Sequence, residues 1–188
     1  MKNRLVLYHT NTGNSQFLAE KIAGALQAEV RPLQPRTSSV GWLFVLSLLK
    51  WRSGINLNKE DLAHYEEVVV IGPVWGGLLL APLRDAIRTC RRADKPIHVA
   101  VCCGTSDDDK DKRWGYAQVL ASAKKMGGDH VYSTEAFPVA LVLTPEEYAN
   151  PEAAQGTRLS DANYAGAMEE RVTRFLKKID PTFARETA

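Results

Sequence analysis

Cysteine is scarce, at three in 188 residues. Cys90, Cys102 and Cys103 form neither a C-x-x-C nor a zinc-ligand spacing, which excludes a disulfide framework and suits a reducing, cytoplasmic compartment. Excess charge is also missing. Lys and Arg number 24 against 22 Asp and Glu, and no basic stripe interleaved with aromatics offers nucleic acid a footprint. No apolar run reaches the roughly 20 residues that span a bilayer, so no transmembrane segment is expected. Met1-Lys2-Asn3-Arg4 leads straight into a short apolar run that stops at His9, so no secretory leader is expected either. No Gly-x-Ser-x-Gly elbow and no His/Asp/Glu cluster with metal spacing is present, leaving triad and metal chemistry without support. Both Gly-x-x-x-x-Gly-Lys-Ser/Thr and Gly-x-Gly-x-x-Gly are absent, which disfavours a nucleoside triphosphate and a dinucleotide pyrophosphate.

What is there begins with Thr10-Asn11-Thr12-Gly13-Asn14-Ser15. Leu5 to Tyr8 before it has the composition of a buried strand, and Phe17 to Leu26 after it has apolar residues at 18, 22, 25 and 26, one face of a helix. A strand that turns into a helix aims free N–H groups and the positive end of the helix dipole at whatever lies above it. Three hydroxyls, two amides and one glycine, with no lysine, suit the oxygens of one terminal phosphate. The same residues are also the preferred helix caps, so this stretch alone leaves a phosphate cradle and a capped helix start both open.

Further along, Glu29–Leu33 reads as a strand that Pro32 places at an edge. Positions 38–52, with Trp42, Phe44, Leu48 and Trp51, read as an apolar connecting helix packed on the sheet. Its other readings are a homodimer contact through 41–52 or a wall against an apolar substrate. Val68–Gly72 is a continuous β-branched strand, Pro73–Leu78 a loop, and Ala81-Pro82 opens a helix. Pro96–Gly104 is the fourth strand, followed by a polar loop to Tyr116 and a helix over 117–126 that stops at Gly127-Gly128. Val131–Phe137 is the fifth strand, 138–159 a long loop, and 162–178 a closing amphipathic helix. The expectation is one α/β domain over 1–188, a doubly wound five-stranded parallel sheet of order 2-1-3-4-5 with helices on both faces.

In that order strands one and three flank the switch point, where ligands sit beyond the carboxyl ends of the strands. Three loops then converge, 10–15, 73–78 and 104–116, and two of them carry Trp75, Trp114 and Tyr116. A flat aromatic ligand with a phosphate tail matches this set. Elsewhere, Cys102 and Cys103 are adjacent in a strand, so they face opposite ways as buried thiols. His98 reads as a core histidine, His9 as a strand-end residue, and Asp107–Asp111 as a solvated loop.

Strand-Thr10-Asn11-Thr12-Gly13-Asn14-Ser15-helix resembles the phosphate loop of the flavodoxin-like family, whose members bind FMN. Gly72-Pro73-Val74-Trp75-Gly76-Gly77 looks like that family's second flavin loop, and Cys103-Gly104-Thr105 to Tyr116 occupies the place of its third. The resemblance implies that Thr10, Thr12, Gly13, Asn14 and Ser15 hold the FMN phosphate, with Asn11 also among the cofactor-binding residues. It implies that Pro73, Val74, Trp75, Gly76, Gly77, Gly104 and Thr105 are further cofactor-binding residues, with Trp75 or Tyr116 stacked on the isoalloxazine ring and Trp114 a third candidate. It further implies a peptide at Gly76 or Gly77 that flips to serve the reduced flavin, and no catalytic side chain, since the cofactor carries the electrons. The basic charge balance and the apolar stretch differ from acidic electron carriers. The functional expectation is therefore an FMN-dependent oxidoreductase passing electrons from NAD(P)H or a reductase to a quinone-like or other small acceptor. The alternative is a non-catalytic carrier that docks a redox partner protein.

Overall fold

Each apolar run becomes a strand because alternate side chains have a covered face to enter on both sides of the sheet. In the computed structural model, which describes residues 2–183, the strands are β1 (Arg4–Tyr8), β2 (Glu29–Pro32), β3 (Glu67–Trp75), β4 (Leu78–Leu79), β5 (Ile97–Cys103) and β6 (Val131–Pro138). The helices are α1 (Asn14–Leu26), α2 (Val40–Leu48), α3 (Ala81–Arg92), α4 (Ala117–Gly127), α5 (Pro145–Ala149), α6 (Pro151–Gly156) and α7 (Ala167–Ile179). The sheet runs β2-β1-β3-β5-β6, all parallel. With the two-residue β4 set aside, that is the expected order, and Tyr8 opposite Ile71 brings the loops after β1 and β3 side by side.

The period of two divides the core. Leu5, Leu7, Val68, Val70, Val99 and Val101 pack with Leu83, Ile87, Val119 and Ala123 of α3 and α4. Val6, Val69, Ile71 and Ala100 pack with Leu18 and Ile22 of α1 and Phe175 and Leu176 of α7. Cys103 falls in the first cluster and Cys102 in the second, as adjacency in a strand requires, and the three thiols are free and buried. His98 is a buried core histidine between Ser133 Oγ (2.7 Å) and Glu67 Oε2 (3.5 Å).

Four expectations are corrected. Pro73–Leu78 is not an open loop: β3 continues to Trp75 and pairs back through Trp75↔Leu78 and Val74↔Leu79. Gly76 (φ 56°) and Gly77 (φ 69°) close this hairpin, because a two-residue turn with positive φ at both positions matches strand twist. The stretch 138–159 holds a 3-10 turn (Val139–Val142), α5 and α6. Thr144 and Glu147 form a reciprocal capping box for α5, and Asn150 caps α6. The closing helix starts at Ala167 rather than 162, after Gly166 at φ 79°. Finally, α2 buries only Leu43, Leu46 and Ser47. Ser47 Oγ accepts from Ala81 N–H (2.9 Å), and Arg84 donates to the Ser47 and Trp51 carbonyls (3.1 and 3.2 Å), so the helix is fixed on one side. Its outer side, with Trp42 and Leu48 50% and 57% exposed, is not covered by any of the described residues.

Candidate functional site

The first loop enters α1 without a side-chain cap. Gly13 is the N-cap of α1 at φ 92°, and no side chain caps the helix. Thr10 Oγ1 accepts from Gly13 N–H at 3.0 Å and so turns the chain, while the first helical bond is Phe17 N–H to Gly13 O at 2.9 Å. The N–H groups of the first turn therefore face outward without a capping oxygen, the arrangement that favours an anion.

Asn14 has another task than the one expected of its side chain. Its Nδ2 donates to Thr157 O (3.1 Å) and its Oδ1 accepts from Leu159 N–H (2.9 Å), so the buried amide straps the chain beyond α6 to the start of α1. Only its backbone remains for a ligand. Thr12 and Ser15 keep their hydroxyls at the loop.

A cavity of about 330 Å³ joins the three loops. Thr12, Asn14 and Ser15 line it from the first, Pro73, Val74 and Trp75 from the second, and Cys102, Cys103 and Gly104 from the third. Thr10 and Asn11 open instead on a neighbouring cavity of about 360 Å³, with His9, Leu33, Val40 and Leu43, and Trp75 is shared by both. Among the described residues no lysine or arginine lines either cavity, so an anion there would meet only N–H groups and the helix dipole.

The aromatics divide. Trp75 is half-buried at the junction, its ring edge-on to His9 at 6.4 Å. Tyr116 does not present its ring to the cavity. It is 8% exposed, packs in the core beneath α3 and α4, and donates its hydroxyl to Asp107. Trp114 is 56% exposed outside the cavity, with the Arg113 guanidinium 4.7 Å above its ring. Thr105 Oγ1 donates to Trp114 O (3.4 Å), which closes the third loop on itself. Gly77 is wedged: a Cβ there would lie 2.7 Å from Arg113 O and 2.5 Å from Gln118 Nε2. At Gly76 it would meet the Phe44 ring at 3.2 Å.

The Asp107–Asp111 run is solvated, with Asp108, Lys110 and Asp111 exposed, but Asp107, its side chain 43% exposed, is also anchored. Arg171 grips both its oxygens, one at 2.9 Å, and Tyr116 adds a third bond. The Arg171 guanidinium, ahead of the Tyr116 hydroxyl, holds the Asp107 carboxyl below its ordinary range. The same carboxylate, after burial, pushes the Tyr116 phenol up. This network ties the third loop to α7, and Ser106 N–H bonds Tyr148 OH of α5 at 2.9 Å. Nothing local in sequence signals it, since Asp107 and Arg171 lie 64 residues apart. Burial also lowers the His9 pKa, leaving a neutral ring whose Nδ1 lies 3.5 Å from Leu33 O and whose Nε2 has no partner among the described residues. The Cys102 thiol is pushed up to about 12 by burial, so it stays protonated.

No protein-family model matches the chain, and no curated protein matches it in sequence. Among solved structures, it is similar to a flavoprotein from Lactobacillus acidophilus in complex with FMN: TM-score 0.57, 14% identity, 72% of this chain and 93% of that one covered. It is also similar to oxidised flavodoxin 2 from Bacillus cereus, with TM-score 0.52 and 14% identity over 98% and 99% of the two chains. Strand order and these likenesses define the fold as flavodoxin-like. No helix among the described residues is long and apolar enough to cross a membrane.

Proposed function

We propose that the chain is an FMN-binding redox flavoprotein. The observation that carries this is the uncapped N-terminus of α1 opening on the same cavity as Trp75. The first-turn N–H groups with the Thr12 and Ser15 hydroxyls would hold the phosphate. Pro73, Val74, Trp75 and Gly104 would flank the ring. Bound FMN would supply the electron transfer, and the protonated Cys102 and Cys103 thiols play no part in it. The similar structure from Lactobacillus acidophilus contains FMN, which supports the same ligand here.

The reading extends to an oxidoreductase that takes electrons from NAD(P)H or a reductase and gives them to a quinone-like acceptor in the second cavity, where Leu33, Val40 and Leu43 are apolar. Free thiols suit a reducing compartment such as the cytoplasm. The rival reading, a carrier that docks a redox protein, is favoured by the exposed Phe44 and Trp114 at the rim of Gly76. Reconstitution with FMN followed by desalting tests the ligand: a retained, perturbed flavin spectrum supports it, and a colourless protein refutes it. Anaerobic NADH or NADPH then separates the two roles. Bleaching of the bound flavin marks the reductase. No bleaching, with stepwise chemical reduction passing through a stable one-electron state, marks the carrier.

A further inference from the structure

From Val40 to Leu49 the chain contains no charged residue, and the arc of α2 turned away from the protein is apolar throughout. Trp42, Phe44, Leu48, Leu49 and Trp51 are 50%, 38%, 57%, 48% and 57% exposed. Single exposed apolar residues are ordinary, but a contiguous set along one helix marks an interaction surface. The charge flanking it along the chain has one sign. Between Val30 and Lys59 there are five cations and no Asp or Glu. Arg36, Lys50 and Arg52 are exposed and enter none of the ion pairs among the described residues.

We propose that this face docks on an anionic lipid bilayer, with α2 lying in the plane of the interface. Three features select that occupant. Tryptophans stand near the start of α2 and just past its end, where an indole has its apolar body in the acyl boundary and its N–H among headgroups. The helix has nine residues, about 13 Å in length, which lies in an interface but cannot span one. Lys50 and Arg52, at its C-terminal end, meet anionic headgroups, which attract such flanking cations. A second copy fits less well. Two-fold pairing of α2 would set two cationic segments side by side without a carboxylate from either to answer them. Phe44 touches the Gly76 hairpin, so docking turns the Trp75 rim toward the lipid. The surface stands on its own geometry and does not depend on a bound flavin.

The test is sedimentation of the full chain, with and without FMN, with phosphatidylcholine vesicles and with vesicles containing about a third phosphatidylglycerol. Binding to the anionic vesicles at least about 10-fold tighter than to the neutral ones, weakened by salt, is expected. Two variants separate the contributions: Trp42→Ser with Leu48→Ser, and Lys50→Glu with Arg52→Glu. Each should lose about 10-fold in binding, with an unchanged unfolding midpoint because all four side chains are exposed. If the apolar variant unfolds, the charge-reversal variant, with its apolar face intact, decides alone. Wild-type protein left in the supernatant with both vesicles overturns the proposal. So does binding that neither variant weakens. A dimer in light scattering that Trp42→Ser with Leu48→Ser dissociates, without lipid binding, assigns the face to a second copy instead.

Discussion

Replacing Asn14 by alanine separates a structural strap from a phosphate ligand. The side chain makes two hydrogen bonds, to Thr157 O at 3.1 Å and from Leu159 N–H at 2.9 Å. Leu159 is 7% exposed, so its N–H, once orphaned, has little access to water and costs about 1–3 kcal/mol. Thr157 is only half-buried, so solvent can replace the bond to its carbonyl, and that loss is about 0.5–1 kcal/mol. The sum is about 1.5–4 kcal/mol. At a urea slope of about 2 kcal/mol per molar, the midpoint of the flavin-free protein should fall by about 1–2 M. Urea unfolding followed by far-UV circular dichroism, without flavin, reads this directly. Asn14→Asp keeps the acceptor for Leu159 N–H and should lose less than half as much, while its carboxylate weakens phosphate binding by repulsion. A flavin-free Asn14→Ala protein within about 0.5 kcal/mol of wild type, with weakened FMN, would refute the strap.

Thr12→Val removes a hydroxyl from the cavity while keeping its shape, and should weaken FMN by about 1–3 kcal/mol; an unchanged titration places the phosphate elsewhere. Gly77→Ala combines positive φ with a Cβ 2.7 Å from Arg113 O, so it should destabilise by about 2–4 kcal/mol. Gly76→Ala, facing the movable Phe44 ring, should cost only about 1 kcal/mol, and thermal melts giving equal losses would contradict the wedge. Burial, opposed by Glu67, holds the His98 pKa down at about 4, below the unfolded value of 6.5. The unfolded chain therefore binds the proton first, and stability present above about pH 6.5 is lost as pH falls toward 4. Between about pH 7.5 and pH 4 wild type should lose about 3 kcal/mol more than His98→Gln, and parallel pH profiles would remove His98 as the cause.

The sheet was legible in the sequence because its strands are covered on both faces. Runs such as Val68–Ile71 then need no partner information to be read, and the order of the strands follows from connection rules. The convergence of the Thr12, Trp75 and Gly104 loops followed from that order. What escaped depends on contacts distant in sequence. Asn14 finds its partners at Thr157 and Leu159, and Asp107 finds Arg171, so a cap-like residue became a strap and an exposed-looking acid became an anchor. Tyr116 stands at the start of α4, and only the packed structure shows its ring turned inward. In sequence Pro73–Leu78 reads as a loop, although Val74-Trp75 and Leu78-Leu79 flanking Gly76-Gly77 are already a hairpin pattern. For α2 the pattern misled, because an all-round apolar helix implies cover but does not say whether the protein or something else supplies it.

The most direct test of the site is a fluorescence titration of the flavin-free protein with FMN and with riboflavin, which shares the ring but has no phosphate. Two charge-assisted bonds from the α1 N-terminus are worth about 3 kcal/mol, so FMN should bind at least about 100-fold tighter. Equal affinities, or no saturable binding of either, would contradict the assignment of the Gly13–Ser15 turn as the phosphate cradle.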